Sequence, residues 1–168
     1  MEAEAKKTAL RMISYGIYVM TAAAPDGRTA AATVNWVTQT AFQPPLIVVG
    51  VKADSFIATL VKETRGFALN MLGKGQQGLA FGFFKPVRLE GDRIGGQPCR
   101  MGPATGAPIL TEAPAAVEAK VVQVIEHGDH HVVLGEVVEA HLMRPPAGRP
   151  DVAILEMKEL GEKVFYGG

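Results

Sequence analysis

The chain has 168 residues, and its 17 basic and 17 acidic side chains leave a formal net charge of zero. That balance excludes a nucleic-acid binder working by broad phosphate neutralisation, which needs an excess of Lys and Arg. With 48% hydrophobic and only 20% charged residues it is not a disordered chain; its length suits one domain, 1–168, burying about 70% of its unfolded surface.

A short helix is predicted over Glu2–Arg11, and the opening MEAEAKKTAL is charged, without a signal peptide's apolar centre. Tyr15–Ala24 is apolar and β-rich. Pro25-Asp26-Gly27-Arg28 supplies a turn that joins it to a second strand, Thr29–Thr38, as a hairpin. Pro44-Pro45 stops that strand. Leu46–Val51 is an unbroken apolar run and reads as a strand buried on both faces. Asp54 or Ser55 can cap a helix over Phe56–Glu63, which Gly66 ends before a short strand, Phe67–Leu72. A second helix fits Gln76–Phe84.

Lys85–Leu110 carries Gly at 91, 95, 96, 102 and 106 and Pro at 86, 98, 103 and 108, so it is expected to be mostly irregular. Two long strands follow, Ala115–His127 and His131–Met143, joined by Gly128-Asp129-His130, and Val152–Tyr166 is expected to hold a last strand. Strands outnumber helices, which disfavours an alternating parallel arrangement. A closed antiparallel barrel with a few helices at its ends is the expected architecture. No apolar run approaches the ~20 residues of a membrane-spanning helix. The single cysteine, Cys99, cannot form an internal disulfide and points to a reducing cytoplasm. Zero net charge on an apolar chain favours self-association, so a homodimer is expected.

Three stretches carry candidate chemistry. Lys52-Ala53-Asp54-Ser55 runs from a strand end into a helix start, where backbone N–H groups attract anions. Lys52 and Ser55 would help to seat a phosphate and Asp54 would oppose it; a capped helix beside a solvated lysine explains the same residues. In Thr33-Val34-Asn35-Trp36-Val37, the Asn35 amide must find partners within a barrel strand, and a heterocyclic ligand can supply them. Trp36 fits ordinary packing equally well. His127-Gly128-Asp129-His130-His131 invites a metal, but nothing else stands at ligand spacing and none is expected. One functional histidine in a turn fits better. Nucleophile elbows, phosphate loops and dinucleotide fingerprints are missing.

Taken in order, these segments resemble the flavin reductase-like, FMN-binding split-barrel family. The resemblance runs from Tyr15-Gly16-Ile17-Tyr18-Val19-Met20-Thr21 through Thr33–Gln39, Pro44-Pro45-Leu46 and Lys52–Ser55. It continues with Phe67–Leu72 and Gly106-Ala107-Pro108-Ile109-Leu110, and ends with Gly128-Asp129-His130 before Gly135-Glu136-Val137. It implies a mainly β fold, a six-stranded antiparallel Greek-key split barrel that dimerises and binds FMN, or FAD, near the dimer interface. By the same resemblance Thr33, Asn35, Trp36 and Val37 would line the isoalloxazine. Lys52, Asp54 and Ser55 would hold the ribityl phosphate, Asn70 would lie across the pocket, and His130 would face the nicotinamide. The implied reaction is hydride transfer from NAD(P)H to flavin, with reduced flavin passed to a monooxygenase partner. Two alternatives remain: an FMN electron-transfer protein reduced by another protein, and a split-barrel module binding some other planar ligand. Ala41 and Ile57 stand where the family usually has hydroxyl residues.

Overall fold

The computed structural model describes residues 1–167. Helix α1 (Ala3–Arg11) is capped by the Glu2 carboxylate, which accepts from the Glu4 and Ala5 N–H groups. Strands β1 (Tyr18–Ala23) and β2 (Thr29–Val34) form the expected hairpin, with Tyr18 opposite Val34 and Ala23 opposite Thr29. Gly27, at φ 95°, makes the turn.

The run expected as one strand, Thr29–Thr38, is two. β2 ends at Val34, and β3 (Val37–Ala41) leaves to pair with β4 (Leu46–Lys52). Asn35 and Trp36 form the corner between them. The Gly50 N–H donates to the Trp36 carbonyl, and the Trp36 side chain lies over Gly50, where a Cβ would come within 3.1 Å of it. The main sheet runs β2-β1-β5-β10-β11-β4-β3, with every pairing antiparallel. Its two edge strands are therefore neighbours in sequence, and the corner joins them covalently. This is why seven strands stand where six were expected.

β4 is buried only at Val49 and Val51, with Leu46–Val48 half-buried, rather than on both faces. Helix α2 (Phe56–Thr64) starts at Ser55, whose hydroxyl accepts from the Ala58 N–H. It ends one residue before the predicted Gly66, at Arg65 in the left-handed region (φ 61°), and Gly66 opens β5 (Gly66–Met71). Ile57, Leu60 and Val61 of α2 fill the barrel interior with Met20, Val49, Phe67 and Val133. Each such side chain contributes about 1.5–3 kcal/mol by leaving water. Gly135 makes room for Phe67: a Cβ there would stand 2.8 Å from the ring.

Helix α3 (Gln77–Gly82) is shorter than predicted. Lys85–Leu110 is not irregular but carries a second antiparallel sheet: β6 (Leu89–Glu90), β7 (Arg93–Ile94), β8 (Gln97–Met101) and β9 (Pro108–Leu110). Gly91, Gly95 and Gly96 all have positive φ. They turn between short strands instead of breaking structure, which is how glycine serves hairpins. Ile94, Cys99 and Leu110 of this sheet share a second core with Ile17, Val19 and Phe83.

β10 (Ala115–Ile125) and β11 (His130–Leu142) form the long hairpin. The last strand expected in Val152–Tyr166 is replaced by a short helix α4 (Pro150–Ala153) and a 3-10 helix (Met157–Leu160). Isolated bridges, Gly16–Glu156 and Gly73–Ile154, and the buried Leu155 and Leu160 tie this segment to the barrel side. Among the described residues no helix is long and apolar enough to cross a membrane.

Candidate functional site

A cavity of about 340 Å³ opens beside the Asn35–Trp36 corner, bounded by β4, the start of α2, the end of α3 and the C-terminal segment. That size lies within the range of small-molecule sites. Five of the sequence-predicted residues line it: Thr33, Asn35, Lys52, Ser55 and His130. Val34, Val51, Ile57, Phe83 and Leu160 supply apolar wall. Trp36 and Val37 instead line a more open depression of about 660 Å³, which shares Gly50 and His130 with the cavity. Asp54 and Asn70 line neither. A third hollow of about 250 Å³, between the C-terminal segment and the residues around Arg11, holds none of the predicted residues.

Thr33 ties β2 to α3: its hydroxyl donates to the Ala80 carbonyl at 2.6 Å and its N–H to the Phe83 carbonyl at 3.2 Å. Asn35 is buried, and its Nδ2 donates to the Tyr166 carbonyl at 3.1 Å. The Ser55 hydroxyl donates to the Lys52 carbonyl at 2.6 Å while capping α2, so the capping role is real. It still leaves the N-terminal turn of a nine-residue helix beside a lysine. Lys52 pairs with Asp54 at 3.3 Å, both largely exposed; such pairs are worth little and yield easily to a ligand.

Asn70 stands apart from the expectation that it faces the pocket. It is fully buried, donating to the Val19 carbonyl at 3.1 Å and accepting from the Leu110 N–H at 2.8 Å. Its amide stitches β1, β5 and β9 together.

His130, directly across the strands from Lys52, and Tyr166 belong to the cavity lining, and Trp36 packs against both from the neighbouring depression. The Trp36 ring lies 4.5 Å from His130 and 5.5 Å from Tyr166, centroid to centroid. His130 Nδ1 meets the Asp129 carboxylate at 2.9 Å, and Nε2 meets the Tyr166 hydroxyl at 2.7 Å. The His130 bond holds the exposed Asp129 carboxyl below its ordinary range, and burial pushes the Tyr166 phenol up. Trp36 Nε1 is buried beside Gly167, with no hydrogen-bond partner among the described residues. An unmet buried donor costs about 1–3 kcal/mol. A largely apolar slot bordered by a helix N-terminus and a lysine fits a flavin.

Tyr166 was missed from sequence. Its only signal is the aromatic pair Phe165-Tyr166 ahead of Gly167, in a stretch expected to be strand. The Glu118–His141 pair on the β10–β11 hairpin was missed as well. Glu118 is fully buried, accepting from the Ala104 and Thr105 N–H groups, the Thr105 hydroxyl and His141 Nε2.

The model of the flavin reductase like domain matches residues 10–154. The chain is 31% identical over 124 residues to a flavin reductase (NADH) of Kitasatospora aureofaciens, covering 73% of this chain and 63% of that protein. It is 33% identical over 137 residues to diflavin flavoprotein A 1 of Synechocystis, covering 81% of this chain and 24% of the relative. Among solved structures, the NADH:FAD oxidoreductase SgcE6 of Streptomyces globisporus superposes with a TM-score of 0.68 at 26% identity, covering 77% of this chain and 76% of that one. The chain spans about half the length, or less, of the curated relatives it matches from Aeropyrum pernix and Synechocystis. An antiparallel barrel split at a corner, with a cavity of small-molecule size beside it and a family model spanning most of its length, places the chain in the flavin reductase-like family.

Proposed function

We propose that this chain is an NAD(P)H:flavin oxidoreductase that acts as one domain and takes FMN as its flavin. The observation that carries the reading is the cavity at the corner, which Lys52, Ser55 at the α2 N-terminus and His130 line together, with Trp36 packed behind the His130 ring. The bound flavin supplies the redox chemistry: a hydride from the reduced nicotinamide and one proton from water give reduced flavin and NAD(P)⁺. The chain's own residues hold the phosphate end and shape the slot, and His130 faces the dinucleotide. Among the described residues lining the cavity Lys52 is the one cation, exposed and paired with Asp54. A single weak phosphate contact suits a flavin that leaves once reduced, to serve a monooxygenase partner. The outer face of the β10–β11 hairpin exposes Val122, Val132, Val138 and Leu142, which supports a homodimer. The one cysteine, Cys99, is buried with its thiol pushed up by desolvation, in keeping with a reducing cytoplasm.

A second reading is FMN reduced by another protein, favoured by the match to one segment of a diflavin flavoprotein. A visible spectrum with added FMN, followed by anaerobic NADH, separates the two. The reductase reading expects a bound-flavin spectrum that bleaches at a catalytic rate. Bound flavin untouched by NADH or NADPH favours the second reading, and failure to bind FMN or FAD defeats both.

A further inference from the structure

We propose that Tyr166 is a positioning residue of this site, holding the His130 imidazole in a single tautomer against Trp36 and so setting how the dinucleotide is received. The proposal deepens the reductase reading and rests on it for the identity of the ligand, though not for the contact itself.

The argument starts from the two nitrogens of one ring. Asp129 can only accept, so the 2.9 Å contact requires the proton on Nδ1. In the neutral ring Nε2 is then an acceptor, and the Tyr166 hydroxyl at 2.7 Å is the donor that meets it. Burial raises the phenol, which keeps it protonated and donating across the neutral range.

The Asp129 side chain is 98% exposed, so its bond competes with water and holds the ring poorly by itself. Tyr166, itself 46% exposed, adds a second bond and a ring contact to the same imidazole. Its ring stands edge-on to His130 at 5.6 Å and tilted to Trp36 at 5.5 Å, closing the third side of an aromatic triangle. The residue is itself anchored. Its carbonyl accepts from the buried Asn35 amide, the Arg11 guanidinium lies 4.2 Å over the neighbouring Phe165 ring, and Arg11 Nε donates to the Gly167 carbonyl.

With both nitrogens engaged, His130 offers a ligand its ring and a fixed edge rather than a free proton donor. A nicotinamide therefore meets a preorganised wall, and removing the phenol oxygen loosens that wall while the Tyr166 ring stays in the cavity lining. Preorganisation of this kind lowers the entropy lost on binding.

The test is Tyr166→Phe, which removes one oxygen and keeps the ring, combined with His130→Ala in a double-mutant cycle. Steady-state NADH oxidation with added FMN should show KM for NADH raised about three- to tenfold in Y166F, the scale of one hydrogen bond, with kcat within twofold. In the H130A background the same substitution should change KM no further. Independently of activity, nitrogen-15 shifts of His130 should report the Nδ1–H tautomer alone in the parent protein and a mixture in Y166F. A tautomer unaltered in Y166F, an unchanged KM, or an effect that persists without His130 overturns the proposal. Should the parent protein fail to oxidise NADH with flavin, the reductase reading falls, and the nitrogen shifts still decide whether Tyr166 holds His130.

Discussion

Two carboxylate–histidine pairs sit in the same barrel with the same 2.9 Å separation, Asp129 with His130 and Glu118 with His141. Their surroundings differ completely. Glu118 is 0% exposed and His141 8%, whereas Asp129 is 98% exposed. Burial works against ionisation of Glu118, but the bonds from His141, from the Thr105 hydroxyl and from two backbone N–H groups outweigh it, leaving the carboxyl below its ordinary range. The same bonds pin the loop Gly102–Gly106 to β10, and a Cβ at Gly102 would overlap the carboxylate. Arg100 Nη2 meets His141 Nδ1 at 3.0 Å and fixes that ring from behind. Distance is thus no guide to role. The buried pair is spent on structure, and the exposed one faces a cavity where a ligand can compete for it.

The sharpest way to break this contrast is Glu118→Ala. It strands two backbone N–H groups and a histidine in the interior, and should cost on the order of 3 kcal/mol in urea unfolding. The pair also has a pH signature. Because the folded-state value of Glu118 is depressed, its contribution is fully present above the ordinary carboxylate value of 4.5 and is lost as pH falls through the lower folded value. Glu118→Gln should therefore flatten the stability profile below about pH 4.5 relative to the parent, read from melting temperatures across an acid series.

Asn70→Ala comes next, at about 2 kcal/mol, since it leaves the Val19 carbonyl and the Leu110 N–H without partners. An FMN dissociation constant unchanged by this substitution would sharpen its separation from the cavity. Lys52→Ala should leave stability alone and weaken FMN binding about two- to fivefold, an effect that shrinks at high salt; fluorescence titration at two ionic strengths measures both. The smallest change is Asp129→Asn, which should leave the melting temperature where it was. A large loss there would erase the distinction between the two pairs.

Much of the barrel was legible because its signals are local. The turn at Asp26-Gly27, the cap at Ser55 and the β10–β11 hairpin each depend on residues a few positions apart. Lys85–Leu110 was misread because a glycine that breaks a strand and one that turns a hairpin look alike until φ is known. Thr29–Thr38 was read as one strand because alternation continues through Asn35-Trp36, and only the choice of different partners by β2 and β3 reveals the corner.

The candidate site divides in the same way. Lys52, Ser55 and His130 announce themselves by residue type beside a strand end, a helix start and a turn, so sequence alone determined them as candidates. Asn70 has the same polar type in a strand, yet its two bonds reach residues 51 and 40 positions away and turn it inward. Tyr166 reaches His130 across 36 positions and Asn35 across 131. Periodicity and turn chemistry act over a few residues and are written into the chain. Which distant side chain satisfies a buried amide or an imidazole nitrogen is decided only when the barrel closes, because burial and partner are properties of the packed structure.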